Sequence, residues 1–325
     1  MKKALVVRLG AFGDMVIISP VLTKLKELGY YVMLNTNQRG IDLYGEDKRV
    51  DEIIKHDEEI PVDKVQEHWE KQEKEIAHDL YLNFTSSIEN SLALHPTQSL
   101  YTKPKQARME RCNRNYYEAT AEWSGLEGVA LLPSIEFTDE EEEFAKSVMR
   151  KDSFNIVWGL SGSGSNKVYP WVEFVMGSLI KEYPNIHIIT VGDERCKILE
   201  NINKQLPEKN FTELAGEIPI RKSFALTKHA SLVVSPDTGL LHSAGCWKTP
   251  KIGLLGHTSI ENITKHFLND YSIEADCSCS PCFYLIYDYR IQCPIDPVTR
   301  AAWCMATLAP EKVFEQIKKV MVKHG

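Results

Sequence analysis

Short apolar runs alternate with amphipathic stretches along almost the whole chain. Ala4–Val7 is apolar and β-branched, as a buried parallel strand is, and after a glycine-containing turn Val16, Ile17, Val21, Leu22 and Leu25 recur at helical spacing. Tyr31–Asn35 reads as a second strand, Arg49–Lys55 as a third leading into an acidic, helix-prone stretch, and Leu80–Phe84 as a fourth. The acidic run Asp139–Glu143 opens a helix to about Arg150, its charges suited to a solvated helix start. A second series follows: strand Phe154–Gly159, helix Trp171–Glu182, strand His187–Val191, helices Arg195–Gln205 and Ile220–Thr227, and strands Ser231–Ser235 and Lys251–Leu255. Val313, Phe314, Ile317, Val320 and Met321 fall on one face of a last helix, Pro310–Lys323. Such alternation implies parallel sheets covered on both faces. The expectation is an α/β protein of two Rossmann-like domains, 1–150 and 151–308, facing each other across a cleft. A C-terminal helix, 309–325, is then free to pack back toward the first domain.

Length agrees, since 325 residues is about twice the usual domain size. The net charge of −7 gives no global drive toward nucleic acid or anionic membrane. The N-terminal apolar run is too short for a signal peptide and is broken by Arg8. Nowhere do about 18 apolar residues run on, so no membrane span is expected and membrane contact would be peripheral. Eight cysteines without a secretory signal argue against a disulfide scaffold, and a cytoplasmic protein is expected.

Three loops stand where strands hand over to helices. Gly10, Ala11, Phe12 and Gly13 lead to Asp14 at a helix start; glycine lets backbone approach a ligand, and free N–H groups there suit phosphate or carboxylate. Asp14 reads either as an N-cap or as a general base at the carboxyl edge of the strands. The spacing is not that of a nicotinamide dinucleotide fold. Gly159–Lys167, with Ser161, Ser163 and the cation Lys167, reads as a diphosphate cradle or a plain linker. Ser235-Pro236-Asp237-Thr238-Gly239-Leu240-Leu241-His242 again joins strand to helix, with three polar residues converging where an anion would sit.

Two clusters remain. Cys279 and Cys282 form a close pair, followed by Cys293 and Cys304 at ten-residue gaps, with Cys277 to spare. Four thiolates make a closed tetrahedral site for structural zinc or iron; the alternative is a set of reduced, partly buried cysteines. Lys103, Lys105, Arg108, Arg111 and Arg114, flanked by Tyr101, Tyr116 and Tyr117, suit an anionic acceptor or else a solvated basic helix.

In combination these motifs resemble the heptosyltransferases, glycosyltransferase family 9. The resemblance is carried by Arg8, Leu9, Gly13, Asp14 and Pro20; by Lys167, Tyr169 and Pro170; by Leu214-Ala215-Gly216; and by Ser235, Asp237, Thr238, Gly239, His242, Ala244, Thr249 and Pro250. It spans nearly the whole chain and implies the GT-B fold. It further implies an inverting transfer of heptose or a similar sugar from ADP-heptose or a related nucleotide sugar, with no catalytic metal. The acceptor would be anionic, such as lipopolysaccharide core, received by the first domain through Lys105, Arg108 and Arg111. By the resemblance Asp14 takes the acceptor's proton, Lys167 neutralises the leaving diphosphate, Asp237, Thr238 and Gly239 bind phosphate, and Glu194 holds the ribose. The cysteines would clamp the loop before the last helix. Two departures, Tyr169 for tryptophan and Gly256-His257-Thr258-Ser259-Ile260 for the usual Gly-Pro-Thr-Asp-Pro, leave the nucleobase open. Hydroxymethylated DNA as acceptor, with tyrosines stacking on flipped bases, and a non-catalytic nucleotide-sugar sensor are the alternatives. A sugar-nucleotide epimerase would need acid/base groups on the donor sugar that the sequence does not single out.

Overall fold

A computed structural model describes residues 1–57, 59–61, 64–89, 102–200, 206–284 and 293–325. Two compact units are present, one formed by Met1–Asn90 with Tyr116–Glu136 and the other by Ser91–Asn115 with Phe137–Gly325. Each is built on a wholly parallel sheet, as the alternation of apolar strands and amphipathic helices requires.

In the first unit β1 (Lys3–Arg8), β2 (Tyr31–Thr36), β3 (Glu52–Lys55) and β4 (Leu80–Asn83) lie in the order β3-β2-β1-β4. β1 is central, and Ala4 to Val7 are buried. Its helices include Phe12–Ile17 and Ser19–Glu27, the second packed against Tyr116–Ser124. Arg49 ties the segment that follows Tyr116–Ser124 to this unit, donating 2.7 Å to Ser134 Oγ while paired at 2.6 Å with Asp47.

The second unit's strands are β5 (Phe154–Gly159), β6 (Ile186–Val191), β7 (Phe211–Glu213), β8 (Leu232–Pro236), β9 (Lys251–Leu255) and β10 (Ile273–Glu274), in the order β10-β9-β8-β5-β6-β7. β7 and β10 were not expected; three and two residues leave no apolar period to read. The expected helix Arg195–Gln205 is a 3₁₀ turn, Glu194–Cys196, followed by the helix Lys197–Glu200, and 201–205 lie outside the described residues. Two stretches expected with the first half belong here. The helix Asp139–Val148, begun by a Thr138–Glu141 capping box, packs on Ile220–His229, and Glu141 pairs with Arg221 at 2.6 Å. The basic helix Lys105–Cys112 is the other. The C-terminal helix Pro310–His324 belongs to the second unit. It packs on Val172–Glu182 and buries Val313, Ile317 and Val320 in the second unit's core, each such side chain contributing about 1.5–3 kcal/mol. Among the described residues no helix is long and apolar enough to cross a membrane.

Candidate active site

In an open parallel sheet, ligands bind beyond the carboxyl ends of the strands where the strand order reverses. In the second unit that reversal falls between β5 and β8. The loop after β5 carries Lys167 at the end of a 3₁₀ turn, Ser165–Lys167, and the loop after β8 carries Asp237. The two meet: Lys167 Nζ lies 3.6 Å from an Asp237 carboxylate oxygen, with the side chains 13% and 9% exposed. Gly162 makes this approach possible, since a Cβ there would stand 2.7 Å from Lys167 Cδ and 2.9 Å from Thr238 Cγ2. Thr238 Oγ1 bonds Ser235 Oγ at 2.9 Å and precedes the turn of helix Gly239–Ala244, while the Leu240 side chain is buried. Ser161 Oγ lies 3.4 Å from Cys196 Sγ, and Ser163 is exposed. Glu194 packs against Gly216, the glycine of the Leu-Ala-Gly turn, whose φ of +66° and 2.5 Å clearance to Glu194 Oε2 both call for glycine.

Asp237 is a hub of polar and charged contacts in the second unit. His242 Nε2 and His257 Nε2 each stand 3.5 Å from its carboxylate, and Thr258 Oγ1 donates to it at 3.4 Å. Burial alone would raise its pKa, but Lys167, His242 and His257 together hold the carboxyl well below the usual range. A buried carboxylate repels phosphate. This one stands beside the Lys167 ammonium. His257 was not expected at this site. Burial and then the Lys167 charge bring its imidazole down to about 4 against the pull of Asp237, so it is neutral at pH 7. Its place at the exit of β9 was the available signal.

The first unit repeats the plan. The order reverses between β1 and β4, and Arg8, fully buried at the end of β1, reaches across that point. Its guanidinium pairs with Asp14 at 2.7 Å and Glu89 at 3.0 Å and donates to the Phe84 carbonyl. Asp14 is not the N-cap. It is the third residue of the helix Phe12–Ile17, and its other oxygen accepts the Ala11 N–H at 2.7 Å. Gly10, with φ of +137°, leaves only 2.5 Å between a would-be Cβ and that oxygen. A carboxylate so fixed, with its side chain 27% exposed, has one edge left for a ligand. Glu89 was missed by the sequence reading; burial raises its pKa and Arg8 pulls it back.

The basic residues are differently engaged than expected. Lys105 Nζ donates to the Ser280 carbonyl and Arg108 Nε to that of Cys282 at 3.2 Å, while the Arg108 guanidinium stacks 4.7 Å over Tyr284. Both hold the cysteine loop, and of the three expected acceptor contacts Arg111 is exposed. Tyr116 and Tyr117 are buried, and Tyr101 lies outside the described residues.

Cys279, Cys282, Cys293 and Cys304 line one cavity of about 30 Å³, together with Asn166, Gly256 and His257. Burial pushes the Cys282, Cys293 and Cys304 thiols up, Cys293 to about 11. Among the described residues no three His, Cys, Asp or Glu side chains are drawn close enough to hold a metal ion as they stand. Thiols are the donor type a soft metal takes, and the four expected cysteines border one space without forming a metal site as they stand.

A family model, glycosyltransferase family 9 (heptosyltransferase), matches residues 96–286, more than half of the chain. The chain belongs to glycosyltransferase family 9. It is thus a glycosyltransferase, and its two parallel sheets match GT-B structures of family 9. One is the family 9 glycosyltransferase of Veillonella parvula DSM 2008, with 11% identity, TM-score 0.67 and 99% and 98% of the two chains covered. Another is the ADP-heptose lipopolysaccharide heptosyltransferase II of E. coli, with 15% identity, TM-score 0.65 and 99% of each chain covered. A third is TibC, an iron-containing dodecameric glycosyltransferase of enterotoxigenic E. coli H10407, with 13% identity, TM-score 0.62 and 99% and 77% covered. No curated protein matches by sequence.

Proposed function

We propose that the chain is an inverting, metal-independent transferase. It moves heptose or a similar sugar from ADP-heptose or a related nucleotide sugar to a hydroxyl of an anionic acceptor such as lipopolysaccharide core. The observation that carries this reading is the Lys167–Asp237 contact at the point of strand reversal. A leaving nucleoside diphosphate gains negative charge in the transition state, and a preorganised ammonium lowers the barrier without reorganising. Asp237 holds that ammonium in place, and the backbone N–H groups of Thr238, Gly239 and Leu240 supply donors to the phosphates. Ser161 and Ser163 border the same loop, His242 orients Asp237, and Glu194 faces the ribose. In the first unit Asp14, aimed by Arg8, accepts the proton of the attacking hydroxyl, with Gly10 to Gly13 giving it room. Attack from the face opposite the leaving group inverts the anomeric carbon. Arg111 is left to meet an anionic acceptor. Cys279, Cys282, Cys293 and Cys304 would hold a structural zinc or iron, whose saturated thiolate shell would fix the loop and leave no position for a reactant.

The test is nucleoside diphosphate release from ADP-heptose with lipopolysaccharide core as acceptor. Asp14→Ala is expected to abolish turnover while keeping donor affinity, and Lys167→Ala to lower kcat about 10²–10³-fold. Undiminished turnover in Asp14→Ala removes the assignment of the base.

A further inference from the structure

The cysteine cavity and the donor loop share walls. Asn166 is 2% exposed, lines the cavity, and is the residue immediately before Lys167 in the same 3₁₀ turn. Among the described residues its Oδ1 has no hydrogen-bond partner, although a buried amide oxygen left unpaired costs about 1–3 kcal/mol. His257 lines the same cavity, and its Nε2 stands 3.5 Å from Asp237. The loop is also stitched to the segment bearing Cys304. Tyr169 Oη donates to the Leu308 carbonyl at 2.9 Å and Trp171 Nε1 to that of Ala306 at 2.9 Å. Gly256 lets Cys304 lie against the exit of β9, since a Cβ there would stand 2.9 Å from Cys304 Sγ. The cysteine cavity is therefore the floor of the Lys167 turn.

We propose that Asn166 is a positioning residue that couples a metal on the four cysteines to binding of the nucleoside diphosphate. The inference rests on the structural-metal reading. Thiolates bound to a metal accept hydrogen bonds, and the Asn166 amide, turned so that its N–H₂ faces the cavity, is the donor built into that wall. Paired in this way it holds the 3₁₀ turn, and with it Lys167, in the position Asp237 defines. Metal and nucleotide then favour the same arrangement of the turn, and each raises the other's affinity by the same factor.

The experiment measures metal content of the whole protein, then Kd for ADP, GDP, UDP and CDP by calorimetry with the metal loaded and stripped. Wild type is expected to lose about fivefold or more in affinity for its nucleotide on stripping. Asn166→Ala is expected to bind that nucleotide equally in both states. On loaded protein, competition with a chelator is expected to show metal affinity down about 10–100-fold in Asn166→Ala. Asn166→Asp, of the same shape but with no N–H to give, is expected to do no better than alanine; restored affinity in Asn166→Asp overturns the role of the amide. Less than about a tenth of an equivalent of zinc or iron, with no uptake of added zinc, overturns the metal reading and this inference with it. Bound metal with unchanged nucleotide Kd on stripping overturns the coupling and leaves the metal standing.

Discussion

At the scale of single residues, the two candidate catalytic groups are each held by a buried partner of opposite charge. Asp14 is aimed by Arg8, and Lys167 by Asp237. Arg8→Lys keeps the charge but cannot grip Asp14, Glu89 and the Phe84 carbonyl at once. It is expected to lower kcat about 10²-fold with donor KM unchanged, since misplacing a reacting group has that cost. A raised donor KM at normal kcat would instead make Arg8 a binding residue. Titration gives a second expectation. Burial, with Arg150 nearby, brings His187 down to about 4, and His257 sits at the same value. Unfolded histidine titrates near 6.5, so between pH 6.5 and about 4 the unfolded chain binds protons that the native one refuses. Stability is full above that window and falls through it on acidification. Tm measured from pH 7 to pH 4.5 should drop, and His187→Gln, which can still reach Asn155 and Thr212, should flatten the drop. The two strand-to-helix loops were legible as loops, because glycine among polar residues marks where a strand hands over, while Asp14 could equally be read as an N-cap and Gly159–Lys167 as a linker. The partners were not. Lys105 and Arg108 advertise charge, but the carbonyls they bind belong to Ser280 and Cys282, far along the chain.

Among the elements, the carboxyl edge of the second sheet gathers everything the proposed donor site uses, because every strand there runs the same way. One close clearance there is at Gly256, where Met305 Sδ and Cys304 Sγ leave 2.7 and 2.9 Å for a Cβ. Gly256→Ala is expected to push the short helix Trp303–Ala306 away, lower Tm and weaken nucleotide binding together, costing about 1–3 kcal/mol as overpacking does. Unchanged Tm and unchanged nucleotide Kd, read by scanning calorimetry and titration, would show that this contact has room to spare. The strands β1, β2, β5, β6, β8 and β9 were read from the sequence to within a residue or so at each end. β7 and β10 were not, since edge strands of three and two residues are fixed by their neighbours' free hydrogen-bonding groups and not by any pattern of their own.

For the whole molecule, the fold was legible because two series of strand and helix signals survive independently of any motif. Domain boundaries were less so, because Ser91–Asn115 and the helix Asp139–Val148 follow the second unit by tertiary contact and not by order along the chain. A thermal-shift panel of ADP-, GDP-, UDP- and CDP-sugars reads the remaining open term, the base. The true donor at a hundred times its Kd should add about 2.7 kcal/mol of apparent stability and raise Tm by several degrees. An even response across the panel would speak against a base-selective site.

The polypeptide passes from one unit to the other three times, near residues 90, 115 and 136. No single cut therefore frees either unit whole. Severed after Glu136, the C-terminal fragment would leave behind the helix Lys105–Cys112, and with it the side chains that brace the main chain at Ser280 and Cys282. Such a piece would keep its sheet and lose the brace beneath its thiols. A protease nick there, or a gene split there, is thus a cut through the cysteine loop's scaffolding, made some 140 residues away from it in sequence.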